Sequence, residues 1–359
     1  MLSRFGADDV LDRSANAFLE GLMSIWAPSP EQTVKAIMQH GRALRCLREA
    51  LYDPIRAKSP YTLYATILFM ISRNWFSKGR TAQVSHMEGI VYLLNASARN
   101  GWACRDDNLR VSMLFPAAME AIINRKITVD QWYTLRHAPS FGPHQPLHED
   151  HNLPIGSLSL ATILNIPNLL DEPQCHRAQI QTEYALLQHE YPIILKRLKA
   201  LTDFPDRAES QQSLLVVQIQ LETAGIYMLS YSLILNAFLA TLDPLDNRLH
   251  WESIELAREA IRLSRECASH LPVGMGFVPW ALLAAWAATS DYSITREIMV
   301  TMRQSDVYYA DLEYVRMFRA LKRRIAKLKG AACESCQCVG ESHITCNDTL
   351  SFDWGMGLL

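Results

Sequence analysis

Twenty consecutive residues, Thr223 to Leu242, carry no formal charge, and the apolar run begins earlier, at Leu214. A helix that is apolar on every side can rest in only two places, a protein core or a bilayer. Twenty residues meet the length of a membrane span. Against that, the stretch holds Thr223, Gly225, Ser230, Ser232, Asn236 and Thr241, and no basic cluster flanks it to set an orientation. It reads as the buried central helix of a large bundle, ended by Asp243-Pro244 because proline cannot continue the ladder. The chain has the material for such a core: 359 residues, 49% hydrophobic and 20% charged. No series of alternating segments marks strands. The expected fold is all-α, a large multi-helix bundle in two intimately packed halves.

The order of segments gives those halves. Residues 1–135 read as an N-terminal helical half. Its first helix is amphipathic, with Val10, Leu11, Phe18, Leu19, Leu22 and Trp26 as the apolar side. That pattern is not a signal peptide, which needs a basic start and an unbroken apolar run. Ser29 then begins a helix through Val34, Ile37, Met38 and Leu44. Residues 136–156 form a connector rich in histidine and proline. Residues 157–329 form the C-terminal half, with prolines inside two helical patterns at Pro167 and Pro192. Its helix from Trp251 to Leu271 carries Glu255, Glu259 and Arg262 at spacings that read as ordinary exposed pairs. Residues 330–359 read as a cysteine-containing, flexible tail.

The clearest punctuation lies between Arg42 and Trp102. Leu44, Leu47 and Leu51 recur at helical spacing up to Asp53-Pro54. Ser59 and Pro60 then cap and open a helix whose Leu63, Tyr64, Ile67, Leu68, Ile71 and Trp75 make an apolar surface wide enough for a central position. A third helix carries His86-Met87-Glu88-Gly89-Ile90 and the pair Leu93-Leu94. This order resembles the fungal-specific transcription factor domain, the helical regulatory region of fungal binuclear zinc-cluster regulators. The match is carried by His86, Gly89, Leu93 and Leu94, strongest over residues 40–125 and diffuse to about 325. The resemblance implies a packing scaffold more firmly than an activity. The family's regulators carry six cysteines near their start, whereas here only Cys46 lies within the first hundred residues. The zinc cluster itself is therefore expected to be missing.

Chemistry is sparse. With 35 basic and 37 acidic residues the chain has no built-in footprint for nucleic acid, so DNA contact is expected only indirectly. His137, His144, His148 and His151, with Glu149 and Asp150, allow two readings: a metal site, or a solvated connector holding four prolines. The tail offers Cys333, Cys336, Cys338 and Cys346; CxxC suits a tetrahedral zinc, but no second paired knuckle follows, and reduced thiols in a flexible tail are the alternative. The basic cluster Lys322, Arg323, Arg324, Lys327 and Lys329 reads either as a phosphate-binding patch or as the solvated side of a helix that buries Leu321, Ile325 and Leu328. No nucleophile elbow, phosphate loop, dinucleotide fingerprint or zinc-protease motif occurs, so no catalytic residue and no cofactor is assigned.

Two functions from different classes follow. The resemblance implies a transcriptional regulator or co-regulator, nuclear, pairing with itself or with another transcription factor, with a specialised-metabolite pathway as its expected target and a small molecule as its effector. The alternative is a repurposed helical domain, cytoplasmic, that binds or transforms a small hydrophobic metabolite. Neither reading involves a membrane.

Overall fold

The computed structural model describes residues 6–76, 86–100, 107–124, 126–128, 155–202, 211–268, 277–304 and 312–335. Among the described residues there are twelve α-helices, two short 3-10 turns and no strand, an all-α fold. Helix α1 (Asp9–Trp26) opens where the Asp8 carboxylate accepts the Val10 N–H. Helix α2 (Pro30–Tyr52) opens on Ser29, whose Oγ accepts the Gln32 N–H at 3.0 Å, with Pro30 in the first turn. Asp53 stops it and turns the chain, its carboxylate accepting the N–H groups of Ile55 and Arg56 at 2.8 and 3.1 Å. Ser59 then starts α3 (Pro60–Phe76). The serine-proline and aspartate-proline signals lie where the chain bends because each combines a side-chain acceptor with a missing donor.

Helices α4 (His86–Asn100) and α5 (Asp107–Ala121) follow. Pro116 lies inside α5 without dividing it. Then come α6 (Leu160–Asp171), capped by Ser159, and α7 (Arg177–Thr202), which runs through Pro192. Helix α8 (Gln211–Leu242) is the predicted central helix. Around it stand α9 (Asn247–Cys267), α10 (Val278–Ala288), α11 (Tyr292–Gln304) and α12 (Leu312–Ser335). Helix α12 continues past Lys329 to Ser335.

The core is one large cluster and three small ones. In the large one α8 is enclosed, with Tyr231, Leu233, Leu235 and Phe238 all at 0% exposure. Helices α7, α9, α10 and α12 pack on it, and α10 is itself buried from Val278 to Ala287. Among the described residues α8 is the one helix long and apolar enough to cross a membrane, and 89% of its most apolar window is buried within the protein. Near its middle, Gly225 lets two neighbours close in. A Cβ there would meet Leu263 Cδ2 of α9 at 3.1 Å, and Ile194 and Tyr191 of α7 at 3.7 Å.

The N-terminal helices form smaller clusters. Val10 packs with Cys46, Leu47, Ala50 and Ala65, and Leu11 and Ala15 pack with Tyr64 and Leu68. Leu63 and Ile67 join Met87, Ile90, Leu94, Met113 and Ala117. Helix α3 thus lies centrally in this part of the fold, although Ile71 on it is exposed. Helix α5 belongs to both sides: Met113 and Ala117 join the N-terminal cluster, and Phe115, Ala118 and Met119, with Ile122 just past its end, join the large one. The predicted connector, residues 136–156, lies outside the described residues apart from Ile155 and Gly156.

Candidate functional site

Two helices of the large cluster carry a polar seam. Tyr184 and Tyr191 are seven residues apart on α7, and Glu252 and Glu259 are seven apart on α9. Two turns of helix bring each pair onto one face. Tyr184 donates to Glu252 Oε2 at 2.9 Å and Tyr191 to Glu259 Oε1 at 2.7 Å. Burial pushes both phenols well above the usual tyrosine range, so each is a fixed donor and not a base. Arg262 grips Glu259 at 2.6 Å and also pairs with Glu266. The hydrogen bond from Arg262 holds the Glu259 carboxyl below its ordinary range against the effect of burial. Glu259 is therefore not the ordinary exposed partner that its spacing implied. Glu255 pairs with Arg258 instead.

At the open end of this seam, where α7, the end of α8 and the start of α9 meet, lies a cleft of about 250 Å³. Arg177 and Asp243 close one side through an ion pair of 2.8 Å. Tyr184 lines the cleft and is nearly buried; its oxygen accepts from Gln188 at 2.8 Å and from Asn236 Nδ2 at 3.0 Å. Asn236 is fully buried on α8, and its Oδ1 has no hydrogen-bond partner. Arg248 forms long ion pairs with Asp246 at 3.6 Å and with Glu252 at 3.7 Å, beyond the reach of charge-assisted hydrogen bonds. Leu239, Leu249 and Ala185 supply an apolar patch. Histidine, cysteine and serine are absent from this lining.

The residues singled out in the sequence are placed as follows. Leu93 and Leu94 of the family-like motif are buried on α4, and Gly89 is exposed on the same helix. His86 begins that helix. The motif's leucines thus serve packing. The histidine loop (His137, His144, His148, His151) lies outside the described residues, as do Cys336, Cys338 and Cys346, while Cys333 lies on the last turn of α12. Among the described residues no three potential metal ligands cluster. The basic cluster is corrected in part: Lys322 and Arg324 are half-buried and turned inward. Lys322 donates to the Trp286 and Thr289 carbonyls at 2.8 and 3.4 Å, and Arg324 donates to the carbonyls of Ile122, Leu170 and Asp171. Arg323, Lys327 and Lys329 remain exposed.

The second feature is an apolar surface. The sequence places Leu19 and Trp26 on the apolar side of α1, and Val34, Ile37 and Met38 along α2. Each is 53–57% exposed, and Met23 beside them is 47% exposed. The buried face of α2 is instead Ala36, Ala43, Cys46, Leu47 and Ala50. The small residues on that side let α1 and α3 approach closely, which leaves the larger stripe outward.

Comparisons with protein-family models, with curated proteins and with solved structures find no match. What the described residues show is an all-α, multi-helix fold.

Proposed function

We propose that this chain is a transcriptional regulator or co-regulator, built like the effector and interaction domain of fungal zinc-cluster transcription factors, that acts through protein contacts and reaches DNA through a partner. The observation that carries the reading is the outward apolar surface of α1 and α2, where six large side chains stay in solvent within twenty residues. Apolar surface grouped in this way marks an interaction site. The balanced charge favours borrowed DNA contact, since phosphate neutralisation needs concentrated lysine and arginine. The pattern at His86, Gly89, Leu93 and Leu94 supports the family, and control of a specialised-metabolite pathway goes with it. The test is chromatin occupancy of the tagged chain expressed from its own promoter. Discrete promoter peaks that vanish on deleting a zinc-cluster partner are expected; an absence of nuclear signal and of peaks sinks the reading.

The α7–α9 cleft favours a second reading, a small-molecule effector site. Arg248, whose two ion pairs are long, stands with Leu239 and Leu249 in the cleft lining, a combination that suits a small carboxylate with an apolar body. Thermal shifts with benzoate, compared between the native chain and Arg248→Ala, check it: a shift confined to the native chain is expected.

A further inference from the structure

We propose that the partner seated on α2 is a second copy of this chain, joined by antiparallel, two-fold pairing of α2 with itself. The proposal deepens the interaction reading above and rests on it. At 3.6 residues per turn, positions 34, 37, 38, 41, 45 and 48 fall within about 100° of one another on the helix. They make a single outward face, opposite Ala36, Ala43, Cys46, Leu47 and Ala50. That face is apolar in its first half (Val34, Ile37, Met38) and net basic in its second, where Arg45 and Arg48, with Arg42 beside them, outnumber Glu49; Glu31 stands at its start. Among the described residues Glu31, Arg42, Arg45 and Arg48 make no ion pair within the chain, and all four are exposed.

A face that is acidic at one end and basic at the other is its own complement when turned end for end. With the axis between Ile37 and Met38, those two side chains meet their copies at the centre. Each Val34 then lies over Gly41 of the other copy, and each Glu31 reaches Arg45 across the axis. Gly41 supplies the notch: a Cβ built there meets nothing within 4 Å of its own chain, so the space above it is open. A parallel arrangement or an unrelated apolar partner leaves the charges unmatched. The platform is firm, because Glu20 of α1 accepts from Gln32 at 2.8 Å and pairs with Lys35 at 2.8 Å, fixing α1 against α2. Leu19, Met23 and Trp26 on α1 and the aliphatic stems of Arg42 and Arg45 extend the contact toward the ~800 Å² per partner of a standard interface.

The test uses the full chain in light scattering after gel filtration, at tens of micromolar. The native chain is expected at twice the monomer mass. Ile37→Asp combined with Met38→Asp returns it to monomer with unchanged helicity, since both positions are solvent-exposed. Glu31→Arg weakens the dimer, and Glu31→Arg with Arg45→Glu restores it, which only a contact between those two positions explains. Met38→Cys forms a disulfide-linked dimer under oxidation, while Leu245→Cys, an exposed control elsewhere, does not. A native monomer overturns the proposal, as does a dimer that the double aspartate variant leaves intact. The regulator reading fails separately: promoter peaks from a monomeric chain keep it and remove the dimer, and a dimer without peaks does the reverse.

Discussion

Tyr184 and Tyr231 are both buried, and burial pushes both phenols up, yet their hydroxyls contribute with opposite signs. Tyr231 on α8 is fully enclosed, its ring 4.8 Å from that of Phe115, and its hydroxyl has no hydrogen-bond partner. A buried polar group without a partner keeps its desolvation cost and gains nothing in return. Tyr231→Phe is therefore expected to stabilise the chain by about 1 kcal/mol. Tyr184→Phe removes the oxygen that serves Asn236, Gln188 and Glu252, and leaves a buried amide with neither end satisfied. A loss of about 1–3 kcal/mol is expected. Urea midpoints of the two variants decide the matter, and equal shifts in one direction would show that the seam carries no special weight. His40 gives the residue scale a pH signature. It is half-buried on α2, 5.0 Å from the Phe69 ring, and burial lowers its pKa from 6.5. The folded chain resists protonation there while the unfolded chain does not. The stability is thus present above the unfolded value and lost as pH falls below it. Between about pH 7.5 and 5.5 the native Tm should drop more than that of His40→Gln; parallel curves would remove His40 from the account.

At the scale of elements, α12 acts as a strut that closes the C-termini of three others. Arg324 donates to Ile122 O at the end of α5 at 2.9 Å and to Leu170 and Asp171 at the end of α6, and its guanidinium lies 5.3 Å over the Phe238 ring. Lys322 meets the last carbonyls of α10 and lies 4.6 Å over Trp286. Cations at helix C-termini satisfy orphan carbonyls and match the dipole. A lysine cannot reach two helix ends at once, so Arg324→Lys should cost about 2 kcal/mol, while Arg323→Ala, on the exposed side, should change stability by less than ~0.5 kcal/mol. Equal effects in a denaturant series would contradict the strut. The helix boundaries were legible in the sequence because Ser29-Pro30, Asp53-Pro54 and Ser59-Pro60 act locally. The caps were not, since the Leu321, Ile325 and Leu328 spacing identifies a buried stripe without saying which helix ends meet its flanks. The outward stripe of α2 escaped for a related reason: Val34, Ile37 and Met38 have the spacing of a core face, and spacing does not reveal whether a neighbour covers it. The cleft depends on Tyr184, Asn236 and Glu252 meeting across long separations. Its one trace in the sequence was the shared seven-residue interval of Tyr184/Tyr191 and Glu252/Glu259.

For the whole molecule, the division of the core sets the order in which parts come loose. Helix α8 sits inside the large cluster, whereas α1 and α2 hold to α3 through two clusters of a few side chains each. Free energies of local opening follow the buried contacts that must be given up. Amides of α1 and α2 should therefore exchange through a partial opening, well before those of α8 and α10. Helix α4 is the informative case. It packs on Met113 and Ala117 of α5, while the adjacent face of α5 places Phe115 in a stack on Tyr227 of α8. If α5 joins the two sides into one cooperative unit, Phe115→Ala, a core truncation costing ~3–5 kcal/mol, must lower protection in Ile90 and Leu94 of α4 by the same amount as in Leu233 and Leu235 of α8. It should leave the earlier exchange of α1 and α2 unchanged, because that opening does not break the α5 contacts. Protection lost in α8 alone would mean that the N-terminal cluster stands by itself and that α5 only bridges two independent units.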